Sequence, residues 1–218
     1  MVAKSKLGLG ELIATRRDAL SFKPEAILEG TLQEILKLSA LAPSELNLQP
    51  TRFILVRTPQ GKAKLHECAF RHRSILQAPV TVIACGDSRV ENPHYLDAVM
   101  ALERTPLDNT SLHQAVSQLF SYKPSFGSLE VWVNRQVMLT VAHLLLAAQS
   151  VGVDSCLLQS FVQGHVQRAF GLPEEVFVCA LIPLGYANPP LKQFGGHFDL
   201  NKVVYEEQFS AHLEGFLP

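Results

Sequence analysis

Two stretches of the chain are apolar at nearly every position. They are Ala78-Pro79-Val80-Thr81-Val82-Ile83-Ala84-Cys85 and Val176-Phe177-Val178-Cys179-Ala180-Leu181-Ile182-Pro183-Leu184-Gly185. Both have strand length and many β-branched side chains, so they are predicted as strands buried on both faces. Arg52-Phe53-Ile54-Leu55-Val56 is a third strand, followed by the turn Thr58-Pro59-Gln60-Gly61 and a helix from Lys62 to Phe70. Helical spacing recurs elsewhere. Gly10 to Arg17 forms an opening helix with Leu12 and Ile13 inward, and Phe22 to Glu29 is a connector. Thr31 with Glu34 has capping-box spacing, and Leu32, Ile35 and Leu36 carry that helix toward Pro43. Trp132 to Ser150 is apolar on nearly every side in its second half, which predicts a core helix ended by Gly152. His165 to Phe170 is a short helix closed by Gly171-Leu172-Pro173. Glu91 to Ser128 is the least regular part, with a short helix at Leu112 to Phe120. Strands separated by helices predict a layered α/β or α+β domain.

Composition narrows the function classes. Of 218 residues, 47% are hydrophobic and 18% charged, with neither linker nor repeat, so a single globular domain is expected. A net charge of -1 gives no electrostatic footprint for nucleic acid or an anionic membrane. Any phosphate must then be held by a local cation cluster. Cys68, Cys85, Cys156 and Cys179 form no CxxC pair, which predicts reduced core thiols and a cytoplasmic location. The histidines show no metal-ligand spacing, so no metal is expected. The first residues lack the apolar stretch of a signal peptide, and Val137 to Ala148, roughly a dozen residues, is too short to span a bilayer.

The order of the motifs says more than any one of them. Arg16-Arg17 ends the opening helix, and Ala42-Pro43-Ser44-Glu45-Leu46-Asn47-Leu48-Gln49-Pro50 leads into the strand containing Phe53. Then come the Ala78-Pro79-Val80 strand, a long helix with Gln136 near its start, the exit Gly152-Val153-Asp154-Ser155-Cys156, and the strand end Pro183-Leu184-Gly185-Tyr186-Ala187. This order, from about Glu11 to Tyr205, resembles the nitroreductase family, and the turn from Ala42 to Pro50 is its most specific part. The resemblance implies an α+β fold, with a central mainly antiparallel sheet flanked by helices, in an intertwined homodimer. Residues 1–218 would form one domain, with 91–128 a variable cover over the active site and 206–218 a tail. It also implies FMN at the subunit interface, NADH or NADPH as hydride donor, and a small conjugated acceptor such as a nitroaromatic or quinone, reduced by a ping-pong route.

The family's cofactor-binding positions transfer residue by residue. Arg16, with Arg17 beside it, matches the phosphate-binding arginine, although cations at a helix C-terminus are favoured by the dipole anyway. Asp18 stands where serine is common, Leu20 where a cation approaches the flavin, and His197 and Gly195 where further cations are usual. Lys192 is a candidate replacement. Pro43 and Ser44 match residues that contact the flavin across the interface, and Asn47 and Gln49 match its polar scaffold, whereas such polar residues also bond within their own turns. Arg71, within Arg71-His72-Arg73, is a candidate charge for the flavin's pyrimidine edge, with Ser74 where some members carry lysine. Gln136 matches a ribityl contact, and Leu157, Leu158, Gln159 and Ser160 match the segment beside the ring, where a backbone N–H faces N5. Phe120, Tyr122 and Phe126 are lid candidates or loop packing. No catalytic side chain is expected, because the flavin carries the chemistry. The alternative is a flavin-binding or flavin-carrying dimer without reductase activity.

Overall fold

The computed structural model describes residues 8–102, 109–121 and 127–209. Its elements are α1 (Leu9–Thr15), α2 (Glu29–Ala40), β1 (Thr51–Val56), α3 (Pro59–Cys68), α4 (Arg73–Gln77), β2 (Val80–Asp87), α5 (Pro93–Met100), α6 (Asn109–Ser121), α7 (Leu129–Ser150), β3 (Asp154–Ser155), α8 (Gln163–Phe170) and β4 (Val176–Gly185). The four strands form one sheet in the order β1-β2-β4-β3, and every neighbouring pair is antiparallel. The fold is α+β, as expected.

The two wholly apolar runs are the central strands, and every residue of both is buried. Their side chains divide between two cores. Val80, Val82 and Ala84 of β2 join α2, α5, α6 and α7, while Ile83 and Cys85 join α3, α4 and α8. On β4 the strict alternation breaks, because Cys179 and Ala180 both face the α7 side. The pairing explains it. Ala84 opposes Ala180 but Cys85 opposes Val178, so Cys179 is the extra residue of a bulge.

Helix α7 is anchored at both ends by local signals. Ser128 Oγ accepts from Val131 N at 3.2 Å. At the other end Gly152 takes φ 76°, Gly152 N donates to Gln149 O (3.0 Å) and Val153 N to Ala148 O (2.9 Å), a Schellman closure. At 22 residues α7 is long and apolar enough to cross a bilayer, so the length argument from Val137 to Ala148 does not hold. Its apolar content serves the core instead: Val133, Val137, Val141, Leu144 and Ala148 are fully buried.

Several boundaries move. The first helix stops at Thr15, and Ile13 faces outward at 58% exposure. The second begins at Glu29 after Leu28, so Thr31 lies inside it and caps nothing. The α3 helix starts at Pro59 because Thr58 Oγ1 accepts from Gly61 N (3.1 Å). The described residues between 91 and 128 are more regular than their sequence pattern implies, carrying both α5 and α6. Tyr122 and Phe126, expected as lid aromatics, lie outside the described residues.

Helix α7 approaches the sheet closely at Gly86, where an added Cβ would stand 2.5 Å from Val133 Cγ1 and 3.1 Å from the Phe177 ring. Gly86→Ala is expected to destabilise the fold by about 1–3 kcal/mol, the range for overpacking a close-packed core. Urea unfolding would show this as a lower midpoint with an unchanged slope, and a wild-type midpoint would contradict the packing described.

Candidate functional site

Two hydrogen-bonded groups carry the polar chemistry. The first begins where α1 ends. Arg16 leaves the helix with ψ 130°, and the chain then runs extended beside β3. Asp18 bridges Ser155, and Ala19 N donates to Ser155 O at 2.9 Å. This register brings Asp18 Oδ1 to 3.1 Å from Arg16 Nη1 and 3.4 Å from Leu157 N, so a guanidinium and a backbone N–H converge on one oxygen. Lys192 N donates to Asp18 O at 3.2 Å, which holds the chain after Tyr186 over the same spot. Arg17 turns away: its Nη1 donates to Ala14 O and Arg16 O, and its guanidinium lies 4.6 Å from the centre of the Phe194 ring. Cys156 sits beneath, its thiol pushed up to about 11 by burial and then by the Asp18 charge, so it stays protonated.

The second group is the turn before β1. Leu46, Asn47 and Gln49 all have left-handed backbones (φ 51°, 54° and 44°), a conformation disfavoured without glycine and therefore held by its surroundings. The braces are explicit. Ser44 Oγ accepts from Gln49 N (3.0 Å), and Gln49 Nε2 donates to Asn47 O (3.2 Å). Tyr95 Oη donates to Leu48 O (2.7 Å), with Gln49 O 3.0 Å away, and Arg52 Nη1 donates to Gln49 O and Thr51 O (2.9 Å each). Glu45 N donates to Gln136 Oε1 (2.9 Å), and Trp132 Nε1 donates to Glu45 Oε2 (3.0 Å), which ties the turn to α7. Behind Arg52 lies Asp87, whose side chain is 1% exposed; it pairs with Arg52 (3.3 Å) and in a fork with Arg89 (2.8 Å twice). Burial alone would raise the Asp87 carboxyl, but the Arg89 hydrogen bonds and the two guanidinium charges outweigh it, leaving its pKa below the ordinary value. A cleft of about 410 Å³ opens between this turn, β1 and α5, lined by Ser44, Gln49, Arg52, Tyr95 and Thr140 among others.

The sequence profile of the nitroreductase family matches residues 13–186, a span that contains Arg16, Asp18, Leu157 and the whole of the turn group. The chain belongs to the nitroreductase family. It is 30% identical over 190 residues to an NADH dehydrogenase of Thermus thermophilus, covering 87% of this chain and 91% of that protein. It is 26% identical to an oxygen-insensitive NAD(P)H nitroreductase of Enterobacter cloacae, covering 72% and 79%. Its fold superposes with TM-score 0.81 on a structure from Exiguobacterium sibiricum described as a nitroreductase in complex with FMN, at 19% identity, covering 94% of this chain and 99% of that one.

Within this family member the other expected site residues fall in varied surroundings. Leu158 is buried in a two-way bridge with Leu181, so its N–H is taken, while Gln159 and Ser160 beyond it are exposed. Gln136 is half-buried and engaged with Glu45. Pro43 and Asn47 are exposed, and Leu20 is 54% exposed beside the Arg16 group in sequence. Arg71 faces solvent with φ 57° and pairs with Glu67 at 3.2 Å, whereas Ser74 is buried against His72 Nδ1 at 2.7 Å. His197 and Gly195 are exposed, and the His197 ring meets Phe194 edge-on. Phe120, a candidate for the lid or for packing, is 3% exposed and packs edge-on against Trp132 in the core. The brace of Arg52, Asp87, Arg89 and Tyr95 was not anticipated. One signal was available, since Asp87 is the single charge ending an otherwise apolar strand.

Proposed function

We propose that two copies of this chain bind FMN between them and act as an NAD(P)H-dependent oxidoreductase on a nitroaromatic, quinone or similar conjugated acceptor. The observation that carries this reading is the convergence of Arg16 and the Leu157 N–H on one oxygen, a donor set suited to an anionic terminus. When bound there, the flavin supplies two-electron transfer between the nicotinamide donor and the acceptor, which fits a ping-pong order. The chain's own part is positioning. Arg16 holds the phosphate end. With Leu157 and Leu158 N–H engaged, Gln159 or Ser160 supplies the backbone donor beside the ring. Arg71 offers a charge to the pyrimidine edge, because its exposed pair with Glu67 is weak enough to open.

A second copy brings its own Pro43, Ser44 and Asn47, set in place by the braced turn. Apolar side chains left outside the cores support that association: Ile13 on α1, Leu41 after α2, Leu139 on α7 and Phe198 in the last segment are all exposed. The α5 and α6 helices form part of the cover over the cleft. All four cysteines are free and buried, which suits a reducing cytoplasm.

A second reading, a flavin-carrying dimer without reductase activity, is favoured by the carboxylate already standing in the Arg16 seat. Adding FMN and then NADH or NADPH without air separates the two. Loss of the flavin's yellow colour is expected. Persistent colour would favour the carrier, and failure to take up flavin would remove both readings.

A further inference from the structure

The Arg16 seat already holds a negative charge that belongs to the chain. Asp18 Oδ1 receives both donors of that seat, at 3.1 Å and 3.4 Å, and the Arg16 and Asp18 side chains are only 25% and 22% exposed. Backbone links fix Asp18 from both sides: the bridge to Ser155, the bond from Ala19 N to Ser155 O, and the bond from Lys192 N to Asp18 O. The carboxylate can therefore leave the donors by side-chain rotation but cannot leave the neighbourhood. Arg17 gives little relief, with its guanidinium on the Phe194 ring and on two carbonyl oxygens. Lys192 is the other cation that, with Arg16, acts on the adjoining Cys156 thiol.

A phosphate, with nearly two negative charges, must displace Asp18 and then share Arg16 with it at close range. A ribityl chain that ends in a hydroxyl meets no such repulsion and can donate a hydrogen bond to the carboxylate. We infer that Asp18 is a built-in anion that sets the cofactor selectivity of the cleft, bringing riboflavin close to parity with FMN. This inference rests on the flavin reading of the site.

The test is a titration of the full-length, flavin-free protein with FMN and with riboflavin, following quenching of flavin fluorescence. Wild type is expected to favour FMN by no more than about threefold, because like-charge repulsion offsets the gain from Arg16. Asp18→Asn keeps the shape and removes the charge; it should bind FMN at least about tenfold tighter while riboflavin affinity moves less than about twofold. Asp18→Ser should behave alike, and riboflavin affinity reports whether each variant is folded. A roughly hundredfold wild-type preference for FMN, or an FMN-to-riboflavin ratio unchanged in both variants, would overturn the role of Asp18 alone. Binding of neither flavin to wild type or variants would overturn the cofactor reading beneath it.

Discussion

Arg16→Ala is expected to weaken FMN binding by about 30- to 1,000-fold, the range for removing one partner of a partly buried, charge-assisted contact to an anion. The reason is local. Arg16 is the one side-chain donor on the Asp18 oxygen besides the Leu157 backbone among the contacts described, and its removal leaves Asp18 facing the phosphate with its charge uncompensated. Riboflavin, which has no anionic end, should lose far less. Arg17→Ala supplies the contrast, with an expected loss under about threefold, because that guanidinium is committed to Phe194 and to carbonyl oxygens. Equilibrium titration of both variants decides the matter. Equal, small losses would mean that the phosphate lies elsewhere. Thermal unfolding of Arg16→Ala should stay near wild type, since a partly exposed ion pair contributes little to folding.

Asp87→Ala should destabilise the fold by about 2–4 kcal/mol and loosen the turn that presents Ser44 and Asn47. Its carboxylate receives Arg89 Nε, Nη2 and the Arg89 backbone N–H, together with Arg52. Without it, two guanidiniums face one another and a backbone donor loses its acceptor. Both arginines are nearly half exposed, so water relieves part of the repulsion, which keeps the effect below that of a fully buried charge. Arg52 also holds Gln49 O and Thr51 O, so its release unfastens the left-handed residues of the turn.

The same pair predicts an acid limb. The folded Asp87 carboxyl titrates below its ordinary value of 3.8, so its contribution is complete above the unfolded pKa and disappears as pH falls through the lower, folded one. Wild type should therefore lose stability in that acidic window, and Asp87→Asn should flatten this part of the curve. Denaturant midpoints measured from neutral pH down to about pH 3 would show it. Parallel curves for the two proteins would assign acid sensitivity to other carboxylates.

The central strands β2 and β4 were legible because burial on both faces leaves an uninterrupted apolar run, and β4 begins and ends where that run does, whereas the two-residue β3 was not read. The core helix α7 and its glycine stop were legible for a related reason, since both are written in contiguous residues. The failures were of another kind. Thr31 and Glu34 have the spacing of a cap, but the helix starts a turn earlier and the signal goes unused. Ile13 fits an inward periodicity on a helix too short to bury it. The α5 helix escaped notice, and α6 was read only from Leu112 to Phe120, because their apolar residues become meaningful against α7 and the sheet.

At the candidate site the division is similar. The sequence alone determined the family, the order of β1, β2 and β4 with α7 between the last two, the Ala42 to Pro50 turn and the presence of Arg16 and Asp18, because each is a property of neighbouring residues. The tertiary structure alone decided that Asp18 occupies the seat Arg16 forms with Leu157, 139 positions away, and that Arg52, Asp87 and Tyr95 lock the turn. Those facts depend on which strand lies beside which and on a few tenths of an ångström between donors and acceptors, and residue order carries no record of either.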